Sequence, residues 1–410
     1  MNHKDFIGAW FTGFVFFLAL LPMAARPAHA QTETVLYNFC SRPDCNDGLH
    51  PYSSLTSDGA GNLYGTTNGA NIDEGGNVFE LSPNSRGGWN ETVLYNFCSE
   101  GGGDCTDGAN PSSRVIFDSA GNLYGTTAFG GARRSGVVFE LSPVGESWKE
   151  TVLYDFCSQG DCADGASPES GLIFDRAGNL YGTTVFGGTT GTGTVFELSP
   201  SAGNWTEQVI YEGGYVAGLA MNAAGKIFGA GVYSVFELSP NGNGGWNPTV
   251  IHTFSGAPKD GSTAFGTPVL DRAGNLYGTT VYGGAKNYGT VYKLTPGRKG
   301  KTTGTWTEKI LHSFQGGKHD GSNPDAGIVF DAAGNIYGTT TSGPGFAGTV
   351  YELVAAVGKS SYKDKVLWIF NYTDGFSPYD SLILDNAGNL FGTAFSGGDY
   401  GGGVVFEVTP

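Results

Sequence analysis

The apolar positions of the chain fall in short stretches rich in valine, leucine, tyrosine and phenylalanine, each bounded by glycine, asparagine, aspartate or proline. β-Branched and aromatic stretches with such boundaries are typical of strands. In the first complete unit the pattern predicts strands at 53–57, 62–67, 77–82 and 91–97, which we call strands a, b, c and d. The same succession continues along the chain, so an all-β fold is predicted.

The strands belong to a repeated unit. The phrase Gly-Asn-Leu-Tyr-Gly-Thr, which opens strand b, recurs in full or in near copy at Gly61, Gly121, Gly178, Gly225, Gly274, Gly334 and Gly388. Two further phrases, Val-Phe-Glu-Leu in strand c and Val-Leu-Tyr-Asn-Phe in strand d, also occur seven times each with their variants. Four-stranded units repeated radially are typical of propellers. The repeats therefore predict a seven-bladed β-propeller of four-stranded antiparallel blades.

The two ends of the repeat array complement each other. The last unit stops after its c strand, 404–408, while 35–39 is a d-strand phrase with no preceding strands of its own. We expect this N-terminal strand to close the last blade, whereas an open solenoid would need polar caps at its ends. Residues 31–410 are thus predicted to form one domain, although the length alone would suggest two or three.

Residues 1–30 are predicted to be a signal peptide. Lys4 lies in a short polar lead, an uncharged apolar run follows at 6–21, and the triplet Ala-His-Ala at 28–30 has the small residues of a leader-peptidase site. An uncleaved anchor is the alternative, because the run with its flank is nearly long enough to span a bilayer. We expect the mature chain to be secreted or periplasmic, without membrane contact.

Composition and charge narrow the classes of protein. Glycine accounts for 69 of 410 residues, but 27 Phe, 20 Tyr and 7 Trp exclude a disordered linker. The formal charge is −16, and because residues 1–30 contribute +1, the remainder carries −17. An acidic surface repels phosphate backbones, so nucleic acid is not expected as a partner. A monomer is expected.

The six cysteines occur as pairs in three d-to-a loops, Cys40 with Cys45, Cys98 with Cys105 and Cys157 with Cys162. The other units carry none, and this pattern of both or neither predicts three local disulfides. Such bonds persist in the oxidising compartment that an exported protein reaches. Zinc is the rival interpretation, but the spacings fit it poorly and no histidine set accompanies them.

The succession Gly-Asn-Leu-Tyr-Gly-Thr-Thr, a Gly-Gly loop and Gly-Thr-Val-Phe-Glu-Leu, as at 178–198, resembles the GloVer tandem repeat of exported bacterial proteins described as choice-of-anchor. The resemblance covers nearly all of residues 34–410. It implies export and a repeat architecture, but no established activity. Some relatives end in a sorting anchor, whereas this chain ends at Pro410 directly after a strand, which favours release.

The loops define a candidate binding face. In an up-and-down blade the b-to-c and d-to-a loops share one face, which we call the loop-bearing face. Its d-to-a loops contain histidines at His50 and His319 and six Asp-Gly pairs at Asp47, Asp107, Asp164, Asp260, Asp320 and Asp374. Each aspartate is expected to cap its own turn. A broken acidic ring near the channel mouth is the alternative.

The fourth unit departs from the pattern. It has no Asp-Gly pair between Tyr211 and Gly218, and its b-to-c loop is reduced to the residues between Gly231 and Ser234. We hypothesise that the missing loops leave a notch that binds a ligand, the alternative being a deletion without function. The predicted ligand-binding residues are Tyr215, Tyr233, Asp164, Asp260, His50 and His319.

Other repeated side chains are interpreted as structural. His252 and His312 replace the tyrosine of the d-strand phrase, and tryptophans such as Trp89 at the start of strand d are expected to pack between strands rather than to bind sugar. The Asp-x-x-Gly-Asn turns between a and b are interpreted as hairpins, with calcium loops as the alternative. No metal site and no cofactor are predicted.

Two function classes remain. The first is a non-enzymatic exported module that binds carbohydrate or protein. The second is a polysaccharide-active enzyme, because strand c repeats a glutamate at Glu80, Glu140, Glu197, Glu237, Glu352 and Glu407 and two carboxylates can cleave sugars. A residue repeated six times more often makes a hydrogen bond between blades, which favours the first class.

Overall fold

The structure is a computed structural model that describes residues 31–69, 75–100, 102–213, 216–297, 305–317, 319–356 and 361–410. The predicted signal peptide, 1–30, lies outside the described residues. Strand content is high throughout, and the short 3-10 helices lie at Pro43–Cys45, Gly102–Asp104, Gly160–Cys162 and Pro344–Phe346. Among the residues that the structure describes, no helix is long and apolar enough to cross a membrane.

Seven four-stranded antiparallel sheets form the blades of a propeller, as predicted. Blade 1 consists of Thr56–Ser57, Leu63–Thr67, Asn77–Pro83 and Trp89–Asn96. Blade 2 consists of Ile116–Phe117, Leu123–Thr127, Val137–Val144 and Ser147–Asp155. Blade 3 consists of Ile173–Phe174, Leu180–Thr183, Thr194–Ser201 and Asn204–Glu212. Blade 4 consists of Val216–Met221, Ile227–Gly231, Ser234–Pro240 and Trp246–Thr253.

The remaining blades follow the same order. Blade 5 consists of Val269–Leu270, Leu276–Thr280, Thr290–Pro296 and Trp306–Ser313. Blade 6 consists of Val329–Phe330, Ile336–Thr340, Thr349–Ala355 and Tyr362–Ile369. Blade 7 consists of Ile383–Leu384, Leu390–Ala394, Val404–Thr409 and the N-terminal strand Thr32–Asn38. A two-stranded pair, Gly261–Ser262 with Tyr282–Gly283, joins two loops.

The N-terminal strand closes the ring, as predicted. It pairs antiparallel with the c strand of blade 7, with Thr32 opposite Thr409 and Asn38 opposite Val404. Phe39, which follows this strand, is completely buried in a cluster that contains residues of blades 7 and 1. The first and last blades are therefore joined by both backbone pairing and apolar packing.

The core is divided into clusters between adjacent blades. One cluster, for example, combines Tyr124 and Val138 of blade 2 with Leu172, Leu180 and Phe196 of blade 3. The d-strand tryptophans pack against these clusters, as expected; the Trp246 ring of blade 4 meets the Tyr181 ring of blade 3 edge to face at 5.8 Å. A blade alone could not bury these faces, so each depends on its neighbours.

The Gly-Thr-Thr part of the repeat is explained by close contacts. A Cβ added at Gly65 would lie 2.6 Å from the Phe79 ring, so only glycine fits beneath that ring. The next residue bonds to the neighbouring blade, since the Thr66 hydroxyl donates to the Ser113 carbonyl at 3.2 Å. Equivalent bonds join Thr126 to Ser170, Thr279 to Ala326, Thr339 to Asp380 and Thr393 to Ser53.

Strand a of blade 1 is shorter than predicted, and the a strands of five other blades are equally short. In blade 1 only Thr56–Ser57 pairs with strand b, whereas the sequence predicted 53–57. The preceding residues instead bond to side chains of their own and the adjacent blade: the Ser53 hydroxyl accepts from the Thr66 hydroxyl and the Ser53 carbonyl from the Thr393 hydroxyl of blade 7, both at 2.9 Å. The chain near the axis is thus held by threonine contacts rather than by a longer ladder.

The a-to-b turns are hairpins held by their aspartate. The Asp58 carboxylate accepts from the backbone N–H groups of Ala60 and Asn62 and from the Asn62 amide, at 2.8 to 2.9 Å. Gly61 takes a φ of +93°, which favours glycine. These bonds, with a further one from the Tyr64 hydroxyl at 3.3 Å, engage both carboxylate oxygens and explain why the phrase is repeated.

The repeated glutamate of strand c bonds mainly within its own blade, so the expected bond between blades is wrong as a general rule. Glu80 accepts from the Tyr64 hydroxyl at 3.1 Å and from the Ser82 hydroxyl at 3.0 Å. A bond across blades occurs from the Trp246 indole N–H to Glu197, at 3.4 Å. Tyrosine and glutamate face each other because they are partners in the ladder between strands b and c.

Candidate functional site

A cavity of about 500 Å³ lies on the propeller axis. Its wall is formed by the a strands of all seven blades and by the residues just before them. The end towards the a-to-b turns is aliphatic, with Ile173, Val269, Val329 and Ile383, whereas the loop-bearing end carries aromatic and charged side chains. The cavity is therefore amphipathic along its length.

One position of the repeat supplies most of the chemistry at the loop-bearing end. It lies three residues before the buried residue that directly precedes strand a, such as Leu55 in blade 1. In six blades the residues there that line the cavity are Tyr52, Ser112, Glu169, Phe265, Asp325 and Tyr379. The frame around this position is constant, but the side chain differs between blades. The fold therefore does not require a particular residue there.

Carboxyl groups in the cavity have raised pKa values. Burial raises the pKa of Asp325 to about 6, although a hydrogen bond with Thr341 opposes the shift. Burial also raises the pKa of Glu169. Both groups hold their protons to a higher pH than ordinary carboxyls, and Asp325 can donate as well as accept hydrogen bonds near pH 6.

Asp380 has a different, structural environment. Its oxygens accept from the backbone N–H of Ser54 at 2.7 Å and of Ser381 at 2.6 Å, which links blade 7 to blade 1. Burial raises its pKa, while these bonds and the nearby Arg114 lower it. Arg114 lines the same cavity and is the cation near this carboxyl.

Aromatic rings cluster at the mouth of the cavity, between blades 7 and 1. Tyr52 and Tyr379 stack at 5.2 Å between ring centroids, and each meets Phe395 edge to face. His50 stacks on the other side, parallel to Phe395 at 4.4 Å. Tyr52 is exposed and Tyr379 and Phe395 are half-buried. The cluster presents ring surface to a ligand that enters along the axis.

A second recess of about 480 Å³ adjoins the axial cavity at blades 5 and 6. Asp325 and Tyr379 line both, so these two residues form the boundary between them. The outer part is lined by Tyr282 and Tyr288, which are exposed, and by Asn323. A groove lined by tyrosine and amide groups thus leads from the axis outwards.

The predicted site residues do not come together. Tyr215 lies outside the described residues. Tyr233 is 72% exposed on the two-residue connection of blade 4 and lines neither the axial cavity nor the recess beside it. His319 is exposed and lines a separate recess beside Trp368 in the d strand of blade 6. His50 belongs to the aromatic cluster at the mouth.

The Asp-Gly aspartates are buried and cap their own loops, as expected. Asp164 accepts from the Ser158 N–H and hydroxyl and from the Tyr154 hydroxyl at 2.8 to 2.9 Å. Asp260 accepts in the same way from Ser255. The alternative of an acidic ring at the channel mouth is wrong, because these aspartates contact d strands, which are the outermost strands of each blade.

Each of these aspartates faces a carboxyl of the next blade. The partner lies two residues after the d-strand tryptophan or its equivalent, and the pairs are Asp47 with Glu91, Asp107 with Glu150, Asp164 with Glu207, Asp260 with Glu308, Asp320 with Asp364 and Asp374 with Glu33. Blade 3 has no Asp-Gly loop, and the corresponding residue of blade 4 is Pro248. Both partners are therefore present together or absent together.

The three predicted disulfides are confirmed: Cys40 with Cys45, Cys98 with Cys105 and Cys157 with Cys162. Each closes the d-to-a loop that contains a capping aspartate of an Asp-Gly pair. In the first, the Cys40 N–H donates to the carbonyl of Gly48, next to Asp47. The disulfides therefore hold the same loops that the aspartates organise.

The cavity residues were missed by the sequence analysis, although a signal was present. Proline precedes the variable position in five units, at Pro51, Pro111, Pro168, Pro324 and Pro378. The next residue is Tyr, Ser, Glu, Asp and Tyr in turn. Aligning the seven repeats with one another would have identified a variable residue within a constant frame.

Together these features define a class: a seven-bladed β-propeller, closed by its N-terminal strand, with an amphipathic axial cavity. The chain belongs to the Gloeobacter/Verrucomicrobia repeat family, whose model matches residues 103–234 and 219–410. This finding agrees with the GloVer resemblance noted from the repeat phrases. No curated protein matches the chain.

Solved structures share the fold at low sequence identity. Virginiamycin B lyase from Staphylococcus aureus matches with a TM-score of 0.56 and 13% identity, over 93% of this chain and 99% of that one. The WD40 propeller domain of Doa1 matches at 0.54 and 13%, over 92% and 97%. The extracellular domain of a hybrid two-component system of B. thetaiotaomicron matches at 0.55 and 14%, over 93% and 41%. These proteins differ in function, so the likeness concerns the fold alone.

Proposed function

We propose that the protein is an exported, non-enzymatic binding module that takes an extracellular glycan into its axial cavity. The observation that carries the proposal is the variable position at the cavity mouth, where Tyr52, Glu169, Asp325 and Tyr379 replace one another within a constant frame. The side chains that repeat in every unit hold turns and blades together, whereas the side chain at this position differs between blades and lines the cavity.

The composition of the cavity suits a sugar. Its volume of about 500 Å³ lies within the usual range of small-ligand sites. Tyrosine rings can stack on the apolar face of a pyranose, and carboxyl and serine groups can bond to its hydroxyls. The adjoining recess with Tyr282 and Tyr288 offers room for further units of a longer chain.

Two features support export. The three disulfides are typical of a protein that works in an oxidising compartment. The apolar run at 6–21 with its leader-peptidase triplet supports the same conclusion. We propose that the mature protein works outside the cytoplasm as a monomer.

A glycan array on the mature chain, residues 31–410, tests the proposal, followed by calorimetry on a glycan that binds. Tyr379→Ala should weaken binding at least about tenfold, because it removes a ring that lines both the cavity and the recess. Tyr233→Ala is the matched control, since that exposed ring lines neither. Loss with Tyr233→Ala alone would move the site to the blade 4 notch, and an array without binders would favour a protein partner.

A second candidate is a polysaccharide-active enzyme with its site over the channel. It is favoured by the raised pKa of Asp325, about 6, beside Tyr379 in the same cavity. A carboxyl with such a pKa suits general acid catalysis. New chain ends in a glycan incubated with the protein, lost in Asp325→Asn while binding persists, would establish this function; an unchanged glycan supports the binding module.

A further inference from the structure

We propose that His252, Asp260 and Glu308 form a binding site for a zinc-type divalent metal ion that joins blade 4 to blade 5. The three side chains come from the d strand of blade 4, its d-to-a loop and the d strand of blade 5. One ligand atom of each lies within 4.8 Å of the others. One imidazole with two carboxylates is a donor set that suits zinc.

The distances between the ligand atoms are long for direct hydrogen bonds and fit a shared ion. His252 Nε2 lies 3.4 Å from Asp260 Oδ1 and 3.5 Å from Glu308 Oε1. Direct hydrogen bonds of this kind measure about 2.7–3.2 Å. Two ligand atoms on a tetrahedral zinc ion, with metal–ligand bonds of about 2.0–2.2 Å, lie about 3.4 Å apart. The observed spacing is therefore that of two corners of a coordination tetrahedron.

The ligand atoms are already positioned by the fold. Asp260 Oδ2 accepts from the Ser255 N–H at 2.7 Å and from its hydroxyl at 3.0 Å, which directs Oδ1 towards the histidine. Glu308 Oε1 is fully buried and accepts no hydrogen bond in the part of the chain that the structure describes. The His252 ring is held edge to face against Phe254 at 4.9 Å. The equivalent Glu33, Glu150 and Glu207 also have a buried Oε1 without a hydrogen bond, so the histidine, which their clusters lack, is what distinguishes this one.

Comparison of this d-to-a loop with those of other blades indicates the role of such an ion. In the three d-to-a loops with disulfides the residue before the loop is a tyrosine, Tyr37, Tyr95 or Tyr154, whose hydroxyl donates to the loop aspartate. Blade 4 has neither cysteine, and the tyrosine is replaced by His252. Tyrosine keeps its proton and is a poor ligand, whereas neutral imidazole binds metals. We infer that the metal replaces the disulfide as the link that holds this loop.

The equivalent cluster in blades 5 and 6 provides a matched control. His312 Nε2 lies 3.1 Å from Asp320 Oδ2, which is a direct hydrogen-bond distance, and 3.3 Å from Oδ1. Its third member, Asp364, is exposed. The third carboxylate of this cluster faces solvent, whereas Glu308 is half-buried, so we expect this cluster to bind metal weakly.

Calorimetry with Zn²⁺ and absorption with Co²⁺, on untagged residues 31–410 stripped by a chelator, test the proposal. We expect one ion per chain and tetrahedral Co²⁺ bands. His252→Tyr and Glu308→Gln should each weaken binding at least about tenfold, and His312→Tyr should leave it unchanged. His252→Tyr introduces the tyrosine that precedes the three disulfide loops. Glu308→Gln provides the test if His252→Tyr fails to fold. Binding that is absent, or that survives both substitutions, would overturn the proposal.

Discussion

At the scale of single residues, the glutamates that face the loop aspartates are the unusual titratable groups of this protein. Burial raises the pKa of Glu150 and of Glu308 to about 8, and the neighbouring aspartate adds to both shifts. Glu33, Glu91 and Glu207 have pKa values raised to about 7 by burial. Arg42, at 2.6 Å from Glu91, opposes the shift there. These glutamates therefore remain protonated at pH values at which glutamates with an ordinary pKa are charged.

Stability should therefore fall as the pH rises. A group whose pKa is higher in the folded protein binds more protons when folded, so its stabilising contribution is full below about pH 4.5 and is lost through pH 7 to 8. We expect the melting temperature to decrease between pH 5 and pH 9. Glu150→Gln should flatten this decrease and raise the melting temperature at pH 9, because it removes a buried charge. The exposed Glu146→Gln is the control, and a pH profile of Glu150→Gln like that of the wild type would contradict the assignment.

At the scale of elements, the repeat phrases predicted the internal arrangement of the turns and loops. The a-to-b turn is built around one carboxylate, as in Asp118, which accepts from Ala120, from Asn122 and from Tyr124. Blade 4 retains the backbone bonds with an asparagine, Asn222. The a strand was less predictable, because contacts between blades replace part of its ladder.

Substitutions at Asp118 test this description of the turn. Asp118→Ala should lower the free energy of unfolding by about 2 kcal/mol, because several donors lose their acceptor. Asp118→Asn should cost less than about 1 kcal/mol, since one amide oxygen can accept the backbone bonds as Asn222 does. Urea denaturation measures both, with the exposed Ser119→Ala as the control. Equal losses for the two variants would show that the backbone bonds are not the main contribution.

At the scale of the whole molecule, ring closure brings the six variable side chains that line the cavity to one axis. Blades 7 and 1 form the aromatic cluster with Tyr52 and Tyr379, so the candidate site depends directly on the seam between the chain ends. Asp380 bonds across the same seam to Ser54. A change that opens the ring should therefore affect stability and the site together.

Deletion of residues 31–39 tests this dependence. It removes the strand Thr32–Asn38 and the buried Phe39, so blade 7 would expose a strand edge and an apolar cluster. We expect aggregation and a broad thermal transition, measured by size-exclusion chromatography and calorimetry. A circular permutant that begins at Cys40 and carries 31–39 after Pro410 through a short turn is the control. It should fold normally, because Thr32 lies opposite Thr409.

The sequence by itself determined the architecture, because the sequence features that form a blade are local and recur along the chain. The strand phrases, the Asp-x-x-Gly-Asn turns, the paired cysteines and the unpaired d strand at 35–39 each indicate an element or a partner within a few residues or within one repeat. Their repetition made the blade number and the closure predictable.

Only the tertiary structure decided where chemistry converges. Tyr52, Asp325 and Tyr379 are separated by tens to hundreds of residues, and they line one cavity because six blades place the same repeat position beside the axis. His252 and Glu308 likewise meet only where adjacent d strands lie side by side. Such contacts depend on the packing of one repeat against another, which no pattern within a single repeat records.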